Sequence, residues 1–143
     1  MPKRLLAFDF GLRRIGVAVG NTLTRTSQGI KTLNATDGRP DNKELLALIN
    51  EWRPDLLIVG LPLNLDNSES ETSTEARRFG QWLTEVTKRQ VEFVDERLST
   101  LEAESLLQEA TPAGKKYQHK RKKIRDQLAA ELILATYFED NRA

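Results

Sequence analysis

The sequence predicts an α/β fold of three layers, a five-stranded mixed sheet flanked by helices. Two observations carry this. Leu5–Phe8, Ile15–Val19 and Ser27–Leu33 read as three strands joined by short turns, hence antiparallel. Afterwards, segments of helical spacing alternate with short apolar runs in the order β-α-β-α-β, the signature of strands joined by crossovers. The 143 residues are expected to form one domain, 1–143.

Each element follows from local chemistry. Leu5 to Phe8 is an apolar run, and Gly11 permits a tight turn into Ile15–Val19. Thr36–Asp37–Gly38–Arg39–Pro40 reads as a loop from its turn residues. Asp41 and Glu44 resemble a capping box, with Leu45, Leu48, Ile49 and Trp52 at helical spacing behind them and Pro54 as a stop. Leu56–Gly60 is continuously apolar, as expected of a parallel strand covered on both faces. Leu61 to Glu71 is a polar loop. Thr72 and Glu75 open a helix with an inward stripe of Ala76, Phe79, Leu83 and Val86, and Trp82 offset from it. Val91–Val94 is the fifth strand. Ser99 and Glu102 cap a helix carrying Ala103, Leu106, Leu107 and Ala110, and a basic loop leads to a last helix from about Lys123 to Glu139.

Composition narrows the chemistry. Cysteine is absent, which removes disulfides and thiolate metal sites and suits a cytoplasmic protein. No apolar run approaches the roughly 20 residues that span a bilayer, and no signal-peptide core follows Met1, so no membrane is expected. The single histidine, His119, argues against a His-rich zinc site. Net charge is only +1, but between Thr111 and Arg125 stand seven Lys or Arg residues and no acid. That asymmetry points to a nucleic-acid partner.

In a sheet of this kind the site lies beyond the carboxyl ends of the strands, where the connections change direction. Asp9 follows the first strand, the Gly60–Ser68 loop with Asn64 follows the fourth, and Asp95 with Glu96 closes the fifth. Asp126 heads a stripe with Ala129, Ala130, Ile133 and Tyr137 on the last helix. Carboxylates brought together from these places repel one another unless a cation joins them. Oxygen ligands suit the hard ions Mg²⁺ or Mn²⁺, and a pair of such ions is the usual device for phosphodiester hydrolysis.

Four strings then carry a resemblance: Leu5–Gly11 with Ile15–Gly20, Ile58–Asn64, Asp95–Thr100, and Asp126 leading Ala129–Ala130. In this order they are similar to the bacterial YqgF family, described as pre-16S rRNA nucleases and also called Holliday-junction-resolvase-like proteins. The resemblance runs from about Arg4 to Phe138. It implies an RNase H-like fold, Asp9, Glu96 and Asp126 as catalytic and metal-binding carboxylates, and processing of the 5′ end of precursor 16S rRNA. The segment before Asp126 departs from the family in being long and very basic.

Substrate phosphates are expected on Lys115, Lys116, Lys120, Arg121, Lys122, Lys123 and Arg125, with Arg13, Arg14 and Arg97 nearer the scissile bond and Asn64 on the neighbouring loop. Structured RNA is the favoured partner and a DNA junction the alternative, with the protein a monomer or homodimer. Two other classes compete. Asp9–Gly11–Gly16 also resembles the first phosphate loop of actin-like ATPases, which need a second lobe that this chain lacks. A non-catalytic nucleic-acid-binding factor in transcription would carry the same charges. Each acid also has an ordinary role open to it: Asp9 as a turn residue, Asp126 as a helix N-cap.

Overall fold

The computed structural model describes residues 3–61, 71–95 and 118–141. Strands β1 (Arg4–Asp9), β2 (Arg14–Asn21), β3 (Thr26–Thr36) and β4 (Arg39–Pro40) lead into helix α1 (Asn42–Trp52). Strand β5 (Leu56–Leu61), helix α2 (Glu71–Thr87), strand β6 (Val91–Asp95) and helix α3 (Gln118–Asp140) follow. The sheet order is β4-β3-β2-β1-β5-β6. β1, β2 and β3 pair antiparallel, while β5 runs parallel to β1 and β6 parallel to β5. β1 is therefore the strand at which the pairing changes sense.

The alternation of side chains divides the core in two. Leu6, Phe8, Val17, Leu57 and Val59 face α1 and α2, whose Leu45, Leu48, Ile49, Ala76, Phe79 and Leu83 complete that layer. Leu5, Ala7, Ala18, Leu56, Ile58 and Val94 face α3, which answers with Ala130, Ile133, Leu134, Tyr137 and Phe138. β5 is buried at all six positions, as its unbroken apolar run predicts.

α3 comes close to the sheet because its seat is small. Gly16, Ala18 and Gly20 alternate along one face of β2. A methyl on Gly16 would overlap the main-chain carbonyl of Asp126, and one on Gly20 would lie 3.0 Å from Leu134 Cδ1. Four residues of strand span about 13 Å and eight of helix about 12 Å, so the two contacts keep step along the seam. The β2–β3 register shifts between Val17 and Ala18, which brings Thr32 and then Gly29 onto the α3 face. There the Thr32 hydroxyl donates to the carbonyl of Lys123 (2.9 Å) and the Gly29 N–H to the Glu131 carboxylate (3.1 Å).

The expected capping box is present in part: the Glu44 N–H donates to Asp41 Oδ1 at 3.1 Å, and Arg53 closes α1 in the left-handed region. Trp82 is partly buried, stacked on Phe79 with the Arg39 guanidinium over its ring.

Three expectations need correction. The sheet has six strands, since Arg39–Pro40, read as loop, pairs with Ala35–Thr36 as a short edge strand. The third strand runs beyond Ser27–Leu33 to Thr26–Thr36. The last helix begins by Gln118, so Lys120, Arg121, Lys122 and Lys123 lie on a helix and not in a loop. Its charge density suggested solvated coil, yet Lys, Arg, Gln and Leu are good helix formers and no Gly or Pro interrupts them. The expected Ser99–Ala110 helix lies outside the described residues.

Candidate active site

Asp9 is the last residue of β1 and continues the face of Leu5 and Ala7, so its half-buried side chain lies on the side of the sheet that α3 covers. Its cross-strand partner is Gly16. Side chains of directly opposed residues stand about 5 Å apart on the same face. Gly16 has none, and the Asp126 main chain occupies that position, with Asp126 Cβ 3.0 Å from where a Gly16 Cβ would be. The absence of a side chain on Gly16 thus lets the Asp126 backbone settle beside the strand partner of Asp9.

Asp126 lies two turns inside α3, which rules out the helix N-cap role. Its stripe of Ala129, Ala130, Ile133 and Tyr137 is buried as the spacing predicts. At the start of β2, Arg14 falls on the same face as Gly16, and its Nε donates to Asp126 Oδ2 at 2.8 Å. The side chains of the pair are 27% and 13% exposed, so the salt bridge is largely withdrawn from water.

The loop between Asp9 and Arg14 is held from below. The Gly38 N–H donates to the Leu12 carbonyl (2.9 Å) and the Ala35 N–H to the Arg13 carbonyl (2.8 Å). Gly38 adopts φ +80° beside the Phe10 ring, a place where a Cβ would be both strained and crowded. This support leaves Leu12 and Arg13 exposed immediately beyond Asp9.

Of the other expected site residues, Arg125 is half-buried near the same end of α3, and the carbonyl of Lys123 is tied to β3 through Thr32. Asn64, Glu96, Arg97, Lys115 and Lys116 lie outside the described residues, as do the side chains of Lys120, Arg121 and Lys122. Among the described residues no three His, Cys, Asp or Glu side chains form a metal-binding cluster. Asp9 and Asp126, described carboxylates on this side of the sheet, carry oxygen donors of the kind Mg²⁺ and Mn²⁺ prefer. Sequence reasoning missed Gly16 and the partner of Arg14. The Gly16–Ala18–Gly20 alternation was the available signal for the first, since a strand face of small residues invites close approach.

Comparison with known proteins decides the family. The sequence profile described as "RuvX: Holliday junction resolvase" matches residues 3–140. The chain belongs to the RuvX family. A protein of Nitrosococcus oceani named "Putative pre-16S rRNA nuclease" is 46% identical over 141 residues, covering 99% of this chain and 90% of that protein. One of the same name from Chromohalobacter salexigens is 46% identical over 137 residues, covering 96% and 90%.

Among solved structures, the fowlpox virus resolvase with Holliday junction DNA superposes with TM-score 0.59 at 11% identity, over 98% of this chain and 99% of that one. Thermus thermophilus RuvC with its junction substrate gives TM-score 0.53 at 12% identity, over 97% and 96%. These likenesses establish the RNase H-like fold. RuvX membership makes the chain a nuclease, a hydrolase of phosphodiester bonds.

Proposed function

We propose that this RuvX nuclease uses divalent metal to process the 5′ end of precursor 16S rRNA in the cytoplasm, with Asp9, Glu96 and Asp126 as its metal-binding carboxylates. The observation that carries the reading is the seating of Asp126 on Gly16, the strand partner of Asp9. That seating supports a site at the carboxyl end of the strand where the sheet changes sense, the usual place for one in such folds.

The alternation of β6 supports Glu96 over Asp95 as the third acid. Asp95 shares the face of Phe93, which packs toward α1 and α2, so Asp95 is turned from the α3 side on which Asp9 and Asp126 lie. The RNA substrate is supported by the names of the relatives.

Within this reading the chain's own groups divide the work. Asp9, Glu96 and Asp126 fix the cations, and their oxygen donors select hard ions. Mg²⁺ or Mn²⁺ bound there supplies an activated water and a counter-charge for the leaving 3′-oxygen. The pinned Gly11–Arg14 loop and Arg97 orient the scissile phosphate. The first turns of α3 grip the flanking backbone. Lys120, Arg121, Lys122, Lys123 and Arg125 crowd the positive end of a helix that has no acid in its first turn. Cations there are unfavourable for the helix alone, and bound phosphates would offset that cost.

The test compares purified protein with Asp9→Asn on structured precursor rRNA and on four-way DNA junctions, with Mg²⁺ or Mn²⁺. Metal-dependent cutting of the RNA, lost in the variant, is expected. Cutting of the junction alone would favour resolvase activity, the description attached to the family. Binding without cutting of either would favour the non-catalytic factor.

A further inference from the structure

Arg14 was expected to contact substrate phosphate, yet its Nε donates to Asp126 Oδ2 at 2.8 Å in a largely buried pair. Asp126 is 13% exposed and its backbone lies against the strand partner of Asp9. A carboxylate so placed is short of water and stands on the face of the sheet that also carries Asp9, so it requires a positive partner. Arg14 meets that need from β2, on the same face and one alternation before Gly16.

We infer that Arg14 is a stand-in cation, which neutralises Asp126 while no divalent ion is present and releases it when one binds. The inference rests on the proposed role of Asp126 as a metal ligand. Arg14 and the metal then compete for one carboxylate, the fold does not depend on the metal, and metal affinity is held down until substrate phosphates add their own charge. A released guanidinium remains on the rim that the substrate approaches, where a phosphate can take the place of Asp126 as its partner.

The test uses the full chain with Mn²⁺ as probe and no nucleic acid, free Mn²⁺ being counted by electron paramagnetic resonance. Arg14→Gln is expected to bind Mn²⁺ about tenfold more tightly than the wild type, because a unit positive charge within a few ångströms of the site has been removed. Arg14→Lys keeps the charge and is expected to stay near wild type. A purely structural arginine, one that only orients Asp126, predicts the opposite sign for Arg14→Gln.

The wild-type chain offers a second measurement that needs no variant. The Arg14 Nε–H resonance should exchange slowly with water in EDTA and rapidly in saturating Mg²⁺. An Arg14→Gln affinity no tighter than wild type, or an Nε–H unmoved by Mg²⁺, would overturn the inference. Asp126→Asn separates the two possible failures. If it binds Mn²⁺ as the wild type does, the carboxylate assignment itself is wrong. If it binds more weakly while Arg14→Gln gains nothing, the stand-in role alone falls.

Discussion

A missing side chain decides where the second carboxylate sits. Gly16 is needed for space and not for backbone conformation, since its Cβ would collide with the Asp126 main chain. Gly16→Ala should therefore push α3 outward and move Asp126 away from Asp9. Overpacking of this sort costs about 1–3 kcal/mol, readable by urea denaturation, and cleavage should fall by more than the lost folded fraction explains. Gly20→Ala meets side chains of Leu134 and Phe138 and not backbone, so it should be milder and leave cleavage nearly intact. Equal effects from the two would mean that Gly16 does not position Asp126. Asp9→Asn and Asp126→Asn make the complementary pair. Each should cut cleavage by about a hundredfold or more, the upper scale seen when a metal's surroundings are altered, while RNA binding persists. Near-normal cleavage by both, free of contaminating nuclease, would dismiss the two acids.

At the scale of elements, the pairing of β1 with β5 is tied down by one exposed acid. Asp55 Oδ2 accepts from the N–H groups of Arg4 (3.0 Å) and Lys3 (3.1 Å), and the Asp55 N–H donates to the Arg4 carbonyl (2.8 Å). These bonds sit one residue before the Leu5–Leu56 pair that sets the parallel register. The Arg4 N–H, then that of Lys3, holds the Asp55 carboxyl below its ordinary pKa of 3.8. A depressed acid stabilises the fold above its unfolded pKa, and the stabilisation is lost as pH falls through the folded value. Asp55→Asn should thus be less stable than wild type at pH 7, and the gap should narrow on acidification below about 3.8. A gap constant between pH 7 and pH 3 would show that the charge contributes nothing. α3 obeys a different logic, since one helix carries a run of basic residues in its first turns and, after them, Asp126 at the head of a buried apolar stripe.

For the whole molecule, a net charge of +1 gives no strong general attraction to nucleic acid, so affinity must be local. With about four phosphate contacts, the log–log slope of binding against salt should be about −3 for single strands and steeper for duplex. Changing Lys120, Arg121, Lys122 and Lys123 together to Ala should flatten that slope. Because these residues are helical, Ala preserves the element, and relief of cation crowding at the helix start should keep thermal stability at or above that of the wild type. Filter binding from 50 to 300 mM KCl reads the slope and circular dichroism the helix. An unchanged slope would remove this part of α3 from the substrate path.

What could be read from the sequence alone was whatever depends on neighbours along the chain. The continuous run of β5, the α1 cap at Asp41 and the buried stripe of α3 are each written in periodicity or local hydrogen-bonding chemistry. Asp9 was legible because an ionisable group ending an apolar strand is conspicuous. Beyond that, the sequence by itself supported acids gathered at one end of a mixed sheet. Tertiary structure alone decided where Asp126 is seated relative to Asp9. The cross-strand register sets Gly16 against Asp9, and the close approach of α3 puts Asp126 into the vacant position. Arg14 acquired its partner in the same way, across 112 residues of chain that no local pattern spans. The early start of α3 was hidden for another reason. Charge density and helix propensity coincide in Lys and Arg, and only the folded chain shows that the propensity prevails.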